Sequence, residues 1–423
     1  MKVGHPWRTV GAAVAACAVA AAATAGCSSN SDNTSSGAPK VDPAILGAQN
    51  VATGEPVTIG FISEGKAAAY DTSAEIAAAN AAVSYINDHL GGLRGHKVVL
   101  KTCESKGNPA AATDCANQMV GGGAVAVAEG ALGLADQTID VLSPAGVPLL
   151  LNYGTTPKSL SAPNVFSLMN GTAAIFATPA ALAKEKGITK AAMVTIDVPG
   201  ATETAKQIGK LTFANAGAAL DVVTIPPGTP DMTSQIAAAK RNDPGMWAVL
   251  GETTFCGGAL KAIRTAAPDA PVVVNDRCVS PSISSSIPGG FEGVQVGTTS
   301  NLDPANNDVK LFQAALDQYA SGTPVNATSA GGWAPVLALA EALNSAPGTD
   351  VTRQSILEGL RTAPPQKYPL TNGIDFQCNG KAFPMSPNVC ASDVIVAMAD
   401  RGGKLGDYRI LETDPALFTP PSR

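Results

Sequence analysis

Apolar and polar positions along this chain follow two alternating periods. Val57–Ile62 is a short run rich in β-branched residues, the pattern of a buried strand, and the small and polar residues Ser63–Ser73 after it have the texture of a loop. From Ala74 to Leu90 the apolar positions Ile76, Ala79, Val83, Ile86 and Leu90 recur at helical spacing, and Gly91 and Gly92 close the run. His96–Cys103 reads as a second strand and Pro109–Val120 as a second helix. Strands alternating with helices imply a parallel sheet. Ligands of such sheets sit beyond the carboxyl ends of the strands. The loop Ser63–Ser73 is therefore expected to form one wall of a binding site.

The rhythm continues. Strands are expected at Ala124–Ala128, Val147–Leu151, Ala191–Ile196, Leu220–Ile225, Trp247–Leu250, Pro271–Asn275 and Gly293–Thr298. Helices are expected at Ala135–Leu142, Ala173–Lys186, Ala201–Ala214, Thr233–Lys240 and Cys256–Thr265. Three more follow at Asn306–Tyr319, Ala334–Asn344 and Thr352–Thr362, and Pro369–Ile410 reads as irregular strand. The blocks Val57–Val165 and Ala191–Thr298 share this rhythm without repeating each other's letters. Two α/β lobes facing each other across a cleft is the natural packing.

At 423 residues the chain is long enough for two domains with substantial cores. With 45% hydrophobic and 15% charged residues it has the composition of a soluble globular protein, and its net charge of −6 with no basic run gives no reason to expect nucleic acid. The first residues stand apart. Lys2 and Arg8 precede a continuous apolar or small stretch from Thr9 to Gly26, the form of a secretory signal at 1–26. Cys27 directly after Ala25-Gly26 is similar to a bacterial lipobox, in which the cysteine is lipidated and becomes the mature N-terminus. The alternative is an apolar anchor that is never cut. Residues 27–55 are rich in Ser, Asn, Gly and Pro and read as a flexible tether.

Setting aside Cys17 and Cys27, six cysteines remain: Cys103, Cys115, Cys256, Cys278, Cys378 and Cys390. Six permit fifteen pairings. Proximity in sequence favours Cys103–Cys115, Cys256–Cys278 and Cys378–Cys390, and none of these spacings suits a CxxC metal or redox site. Three staples fit an oxidising compartment outside the cytoplasm.

Several stretches taken in order resemble the type I periplasmic solute-binding proteins of ABC transporters, in particular the branched-chain amino acid (Leu/Ile/Val-binding) group. They are Val57–Gly65, Ala78–Val99 with Gly91–Gly95, Gly107–Val120, Gly146–Pro157 and Pro369–Gly380. No one motif is specific; the ordered series is. The resemblance implies an α/β fold of two Rossmann-like lobes joined by a three-segment hinge, closing on a small solute. It places residues 56–168 and about 300–375 in the N-terminal lobe, and 169–299 and about 376–423 in the C-terminal lobe. It further implies a monomer held outside the cytoplasmic membrane by a lipid on Cys27, handing an amino acid to an ABC permease with no cofactor. A lipoprotein sensor using the same cleft, or a binder of an organic acid, amide or aromatic acid, is the alternative.

The same resemblance nominates ligand positions. Thr155 falls at a ligand threonine and Tyr153 at the neighbouring position that supplies a backbone carbonyl, while Leu132 falls about where that group has a carboxylate-binding serine. Ser63 belongs to the first loop, and Tyr70 lies near an aromatic that caps the ligand side chain. From the second lobe, Glu252 takes about the place of a pocket tyrosine, Asp276 or Arg277 that of an amine-binding glutamate, and Asp197 follows that lobe's first strand. An acid binds an ammonium, and a guanidinium binds a carboxylate through a forked pair. Each residue also has a plainer reading: Thr155 as a turn residue before Pro157, Glu252 as a helix cap, Arg277 as a surface ion-pair partner, Tyr70 and Leu132 as packing.

An enzyme is not expected. Beyond the signal the only histidines are His89 and His96, at a helix end and a strand start, and no HExxH, GxSxG, Walker or GxGxxG motif occurs. A Ser/His/Asp relay would need a histidine in the cleft.

Overall fold

Ten consecutive residues, Gly54–Ser63, form β1, the strand about which the first sheet is laid down. The computed structural model describes residue 1 and residues 42–67, 71–130 and 133–420. The proposed signal, Cys27, Tyr70 and Leu132 lie outside the described residues, as does the tether up to residue 41. With β2 (His96–Glu104), β3 (Ala126–Glu129), β4 (Leu149–Gly154) and β5 (Val165–Asn170), β1 makes a five-stranded sheet in the order β2-β1-β3-β4-β5. Every pairing in it is parallel.

A strand's side chains alternate between faces, and the core follows that period. Ile59, Phe61, Ala126, Ala128, Leu150 and Phe166 pack on one side, beneath helices Ala74–His89, Asn307–Tyr319, Ala327–Ser345 and Arg353–Thr362. Ile62, Val127, Leu149, Leu151 and Val165 pack on the other, against helices Pro109–Gly121 and Ala135–Leu142.

The second sheet has seven strands. β6 (Lys190–Ile196), β7 (Ala219–Ile225), β8 (Met246–Leu250), β9 (Val272–Asn275) and β10 (Val294–Thr298) are parallel. After a two-stranded hairpin of β11 (Gln366–Lys367) and β12 (Asp375–Phe376), β13 (Val394–Ala399) and β14 (Leu405–Leu411) add antiparallel strands at the β10 edge. The order is β14-β13-β10-β9-β8-β6-β7. Met193, Ala248 and Val273 face one core and Val194, Trp247 and Val274 the other. The stretch expected as irregular strand from Pro369 thus resolves into a hairpin and an antiparallel pair.

The chain passes between the sheets three times: after Asn170, after Thr298, and between Phe376 and Val394. In the last passage the backbone runs along the edge of β5, where Ser167 N donates to Asn388 O and Cys390 N donates to Ser167 O (2.7 and 2.8 Å). The disulfides are Cys103–Cys115, Cys256–Cys278 and Cys378–Cys390, the pairs that sequence proximity favours.

One helix begins earlier than its sequence pattern suggests. Ala327–Ser345 starts seven residues before the expected Ala334, because Asn326 and Ser329 form a reciprocal cap. Within it Gly332 permits close packing. A Cβ at Gly332 would collide with the backbone carbonyl of Glu75. This contact sets the first turns of helices Ala74–His89 and Ala327–Ser345 against each other at the cleft.

Candidate functional site

The carboxyl ends of the parallel strands from both sheets meet at one cavity of about 470 Å³, within the range of small-molecule sites. Tyr153, at the end of β4, and Asp71, Thr72 and Glu75, around the first turn of helix Ala74–His89, line it from the first sheet. Glu252, Asp276 and Arg277, just beyond β8 and β9, line it from the second. The loop Ser63–Ser73, expected to be a wall, does contribute Asp71 and Thr72.

Glu252 takes the plainer of its two readings and also faces the cavity. It is the cap of helix Thr253–Ala266, its two carboxylate oxygens accepting from Thr254 N (2.9 Å) and Phe255 N (2.8 Å), and it lines the cleft. Arg277 follows in a short turn whose position is fixed twice. Thr253 Oγ1 donates to Arg277 O (2.9 Å), and the Cys256–Cys278 disulfide ties the turn to the same helix. Two site residues from separate loops are thereby held on one rigid piece.

Arg277 lines the cleft with an exposed side chain. The Tyr153 phenol beside it is the largest influence holding its guanidinium charged, burial opposes this, and the carboxylates of Glu64, Asp276 and Glu75 add to it; its pKa is raised above the usual range. Burial raises the Tyr153 phenol in turn, although Arg277 pulls the other way. Asp276 is likewise pushed up by burial against the pull of Arg277.

Behind the first-sheet wall lies a group of buried acids for which the sequence pattern gave no signal. Ser63 does not line the cavity. Its hydroxyl donates to Glu75 Oε2 (2.6 Å) and accepts from Gly65 N (3.0 Å), so it holds the loop and the carboxylate together. Glu64 Oε1 accepts from Gly133 N (2.7 Å), while Glu64 Oε2 has no hydrogen-bond partner among the described residues. Glu129, at the end of β3, is fully buried with no hydrogen bond within the geometric limits to either oxygen among the described residues; burial first, then Glu75 and Glu64, push its carboxyl up to about 8 against the pull of the nearby Thr138 hydroxyl. The signal that was available was positional: Glu64 and Glu129 stand at the ends of strands in a parallel sheet, where side chains turn toward the ligand crevice.

Thr155 is half-buried just past β4 and Asp197 is exposed past β6, its Oδ1 accepting from Thr202 Oγ1 (3.0 Å); neither lines the cavity. Asn152, not singled out from the sequence, does line it, and Tyr368 donates to its Oδ1 (2.6 Å) from the β11–β12 hairpin. Among the described residues no histidine or cysteine lines the cavity, and no group of His, Cys, Asp and Glu is placed to hold a metal ion. Nor is any described helix long and apolar enough to cross a membrane.

Comparison with known proteins agrees with this architecture. The family model for periplasmic binding proteins matches residues 56–388. Among solved structures, an ABC transporter substrate-binding protein from Sphaerobacter thermophilus is 17% identical with a TM-score of 0.70, over 86% of this chain and 99% of that one. The branched-chain amino acid transporter substrate-binding protein LivJ from Streptococcus pneumoniae, in complex with isoleucine, is 17% identical with a TM-score of 0.66, over 84% and 99%. A solute-binding protein from R. palustris, in complex with 4-hydroxybenzoate, is 16% identical with a TM-score of 0.69, over 86% and 98%. No curated protein matches the sequence.

Proposed function

The chain belongs to the periplasmic binding protein family, and from that premise we propose that it captures a small polar solute in the cleft and hands it to an ABC permease. The observation that carries this is the convergence of Tyr153 from the first sheet with Asp276 and Arg277 from the second on one cavity. Residues so placed on two units linked by three strands of chain can close on a solute. Closure is then driven by the solute's higher affinity for the closed state. In this reading residues 56–168 with about 300–375 form one lobe, 169–299 with about 376–423 the other, and the three passages form the hinge.

The solute class proposed is an amine-bearing small molecule, with amino acids of the branched-chain or a related type as its first members. A signal at 1–26 and a lipid on Cys27 would keep the protein at the outer face of the cytoplasmic membrane, the tether giving it reach. The cleft offers hydroxyls, carboxylates and one guanidinium, a set suited to holding a solute.

A thermal-shift screen of the exported protein against amino acids, amines, organic acids, amides and sugars tests the proposal. A solute at a hundred times its dissociation constant stabilises by about 2.7 kcal/mol. Stabilisation by members of one chemical class supports capture of that class. A melting temperature unmoved by every class contradicts it.

A further inference from the structure

The cleft is unequal in charge. Among the described residues four carboxylates line it, on Asp71, Glu75, Glu252 and Asp276, against the one guanidinium of Arg277. Helix ends reduce this imbalance without removing it. Glu252 caps helix Thr253–Ala266 and Glu75 stands in the first turn of helix Ala74–His89, each near a helix terminus worth roughly half a positive charge. Helix Ala327–Ser345 also presents its start to the cavity, capped by the neutral Asn326. Lys66 reaches Asp71 at 3.7 Å from outside, but both side chains are exposed, and such a pair is weak and screened.

A second observation points the same way. Glu64 is 3% exposed, its Oε2 has no hydrogen-bond partner among the described residues, and its charge acts on Arg277 across the cleft. Arg277 in turn answers to Tyr153, Glu64, Asp276 and Glu75 together. Its charge is spread over protein groups already, so a carboxylate solute would have to compete with several of them. An amine or guanidine would instead add the positive charge that the surrounding acids call for.

We propose that the solute is a net cation, a small amine, guanidine or quaternary ammonium compound, seated between Asp276 of the second sheet and the acidic wall of the first. This rests on the binding-protein reading above, keeps its amine-bearing class and replaces the zwitterionic branched-chain amino acids by cations. Amino acids with a positively charged side chain and polyamines fall within the class; simple carboxylates fall outside it.

The test uses the purified full chain and five probes: arginine, putrescine and choline as cations, isoleucine as a zwitterion, and 4-hydroxybenzoate as an anion. The expected result is a raised melting temperature with at least one cation and none with the anion. Its affinity should fall at least tenfold in Asp276→Asn and strengthen in Arg277→Gln. If Asp276→Asn fails to fold, raising sodium chloride from 10 to 300 mM with the wild-type chain still decides, because the affinity of a charge-selected cation must drop. Preferential binding of isoleucine or 4-hydroxybenzoate, or a cation affinity indifferent to salt, overturns the charge inference and leaves the binding reading standing. Binding of none of the five overturns the charge inference; the broad screen described above then decides separately whether the binding reading falls as well.

Discussion

The phenol of Tyr153 lies against the guanidinium of Arg277, joining the end of β4 in one sheet to the turn after β9 in the other. This contact is what makes the cleft one site rather than two facing surfaces. It also places a permanent positive charge opposite Glu64, Glu75 and Asp276.

Removing that charge is expected to destabilise the protein in a pH-dependent way. In Arg277→Gln the carboxyl of Asp276, already raised by burial, loses the counter-charge that opposes that rise, so its native-state pKa climbs further and it binds more protons than in the unfolded chain. The deficit is then largest where Asp276 is ionised, and it shrinks as pH falls and Asp276 becomes neutral. Melting curves of wild type and variant should lie further apart at pH 8 than at pH 5. A constant offset across that range would assign Arg277 a packing role only.

Glu129 gives a second pH signature with a defined sign. Its folded-state carboxyl is raised to about 8, above the usual value near 4.3 of an unfolded chain. The folded state therefore holds a proton that the unfolded state has released, and the stability this confers is complete below about 4.3 and lost as pH rises toward about 8. Glu341 is also raised to about 8 by burial and acts in the same direction, so the comparison must be with a variant. Glu129→Gln should flatten the decline between pH 5 and 8 and melt higher than wild type at pH 8. An unchanged slope would show that Glu129 ionises freely in the folded protein.

Glu252→Ala removes the acceptors for Thr254 N and Phe255 N at the start of helix Thr253–Ala266. Loss of a cap costs about 0.5–2 kcal/mol, so the urea midpoint should fall accordingly. Glu252→Asp, with a carboxylate still in reach of the helix start, should recover most of it. No change in midpoint would mean that water replaces the cap.

At Gly332 any side chain meets the Glu75 carbonyl. Gly332→Ala should cost about 1–3 kcal/mol, the usual penalty of overpacking, read from chemical denaturation. A neutral substitution would show that the two helices part easily at this point.

Much of the fold was legible because it rests on local pattern. Val57–Ile62, the helix from Ala74 and the later βα units declared themselves by period, since a strand buried on both faces is a short apolar run and its covering helix an amphipathic one. The cysteine pairs followed from proximity. Tyr153, Glu252, Asp276 and Arg277 stood at strand ends and do line the cavity. What escaped was decided by distant partners. The early start of Ala327–Ser345 depends on Gly332 fitting against Glu75, and the pairing of β13 with β10 joins residues about a hundred positions apart. The burial of Glu64, Glu75 and Glu129 could not be read from the letters either, because charged residues are ordinarily a mark of the surface.

A solute seated between Tyr153 and Asp276 loses contacts when Tyr153 is truncated. Calorimetric titration of the strongest stabilising solute from the screen into wild type and into Tyr153→Ala reads this loss. An affinity at least tenfold weaker in the variant, a loss of about 1.4 kcal/mol or more, is expected, with the fold retained by circular dichroism. Full affinity in a folded Tyr153→Ala protein would place the solute elsewhere and contradict this seating.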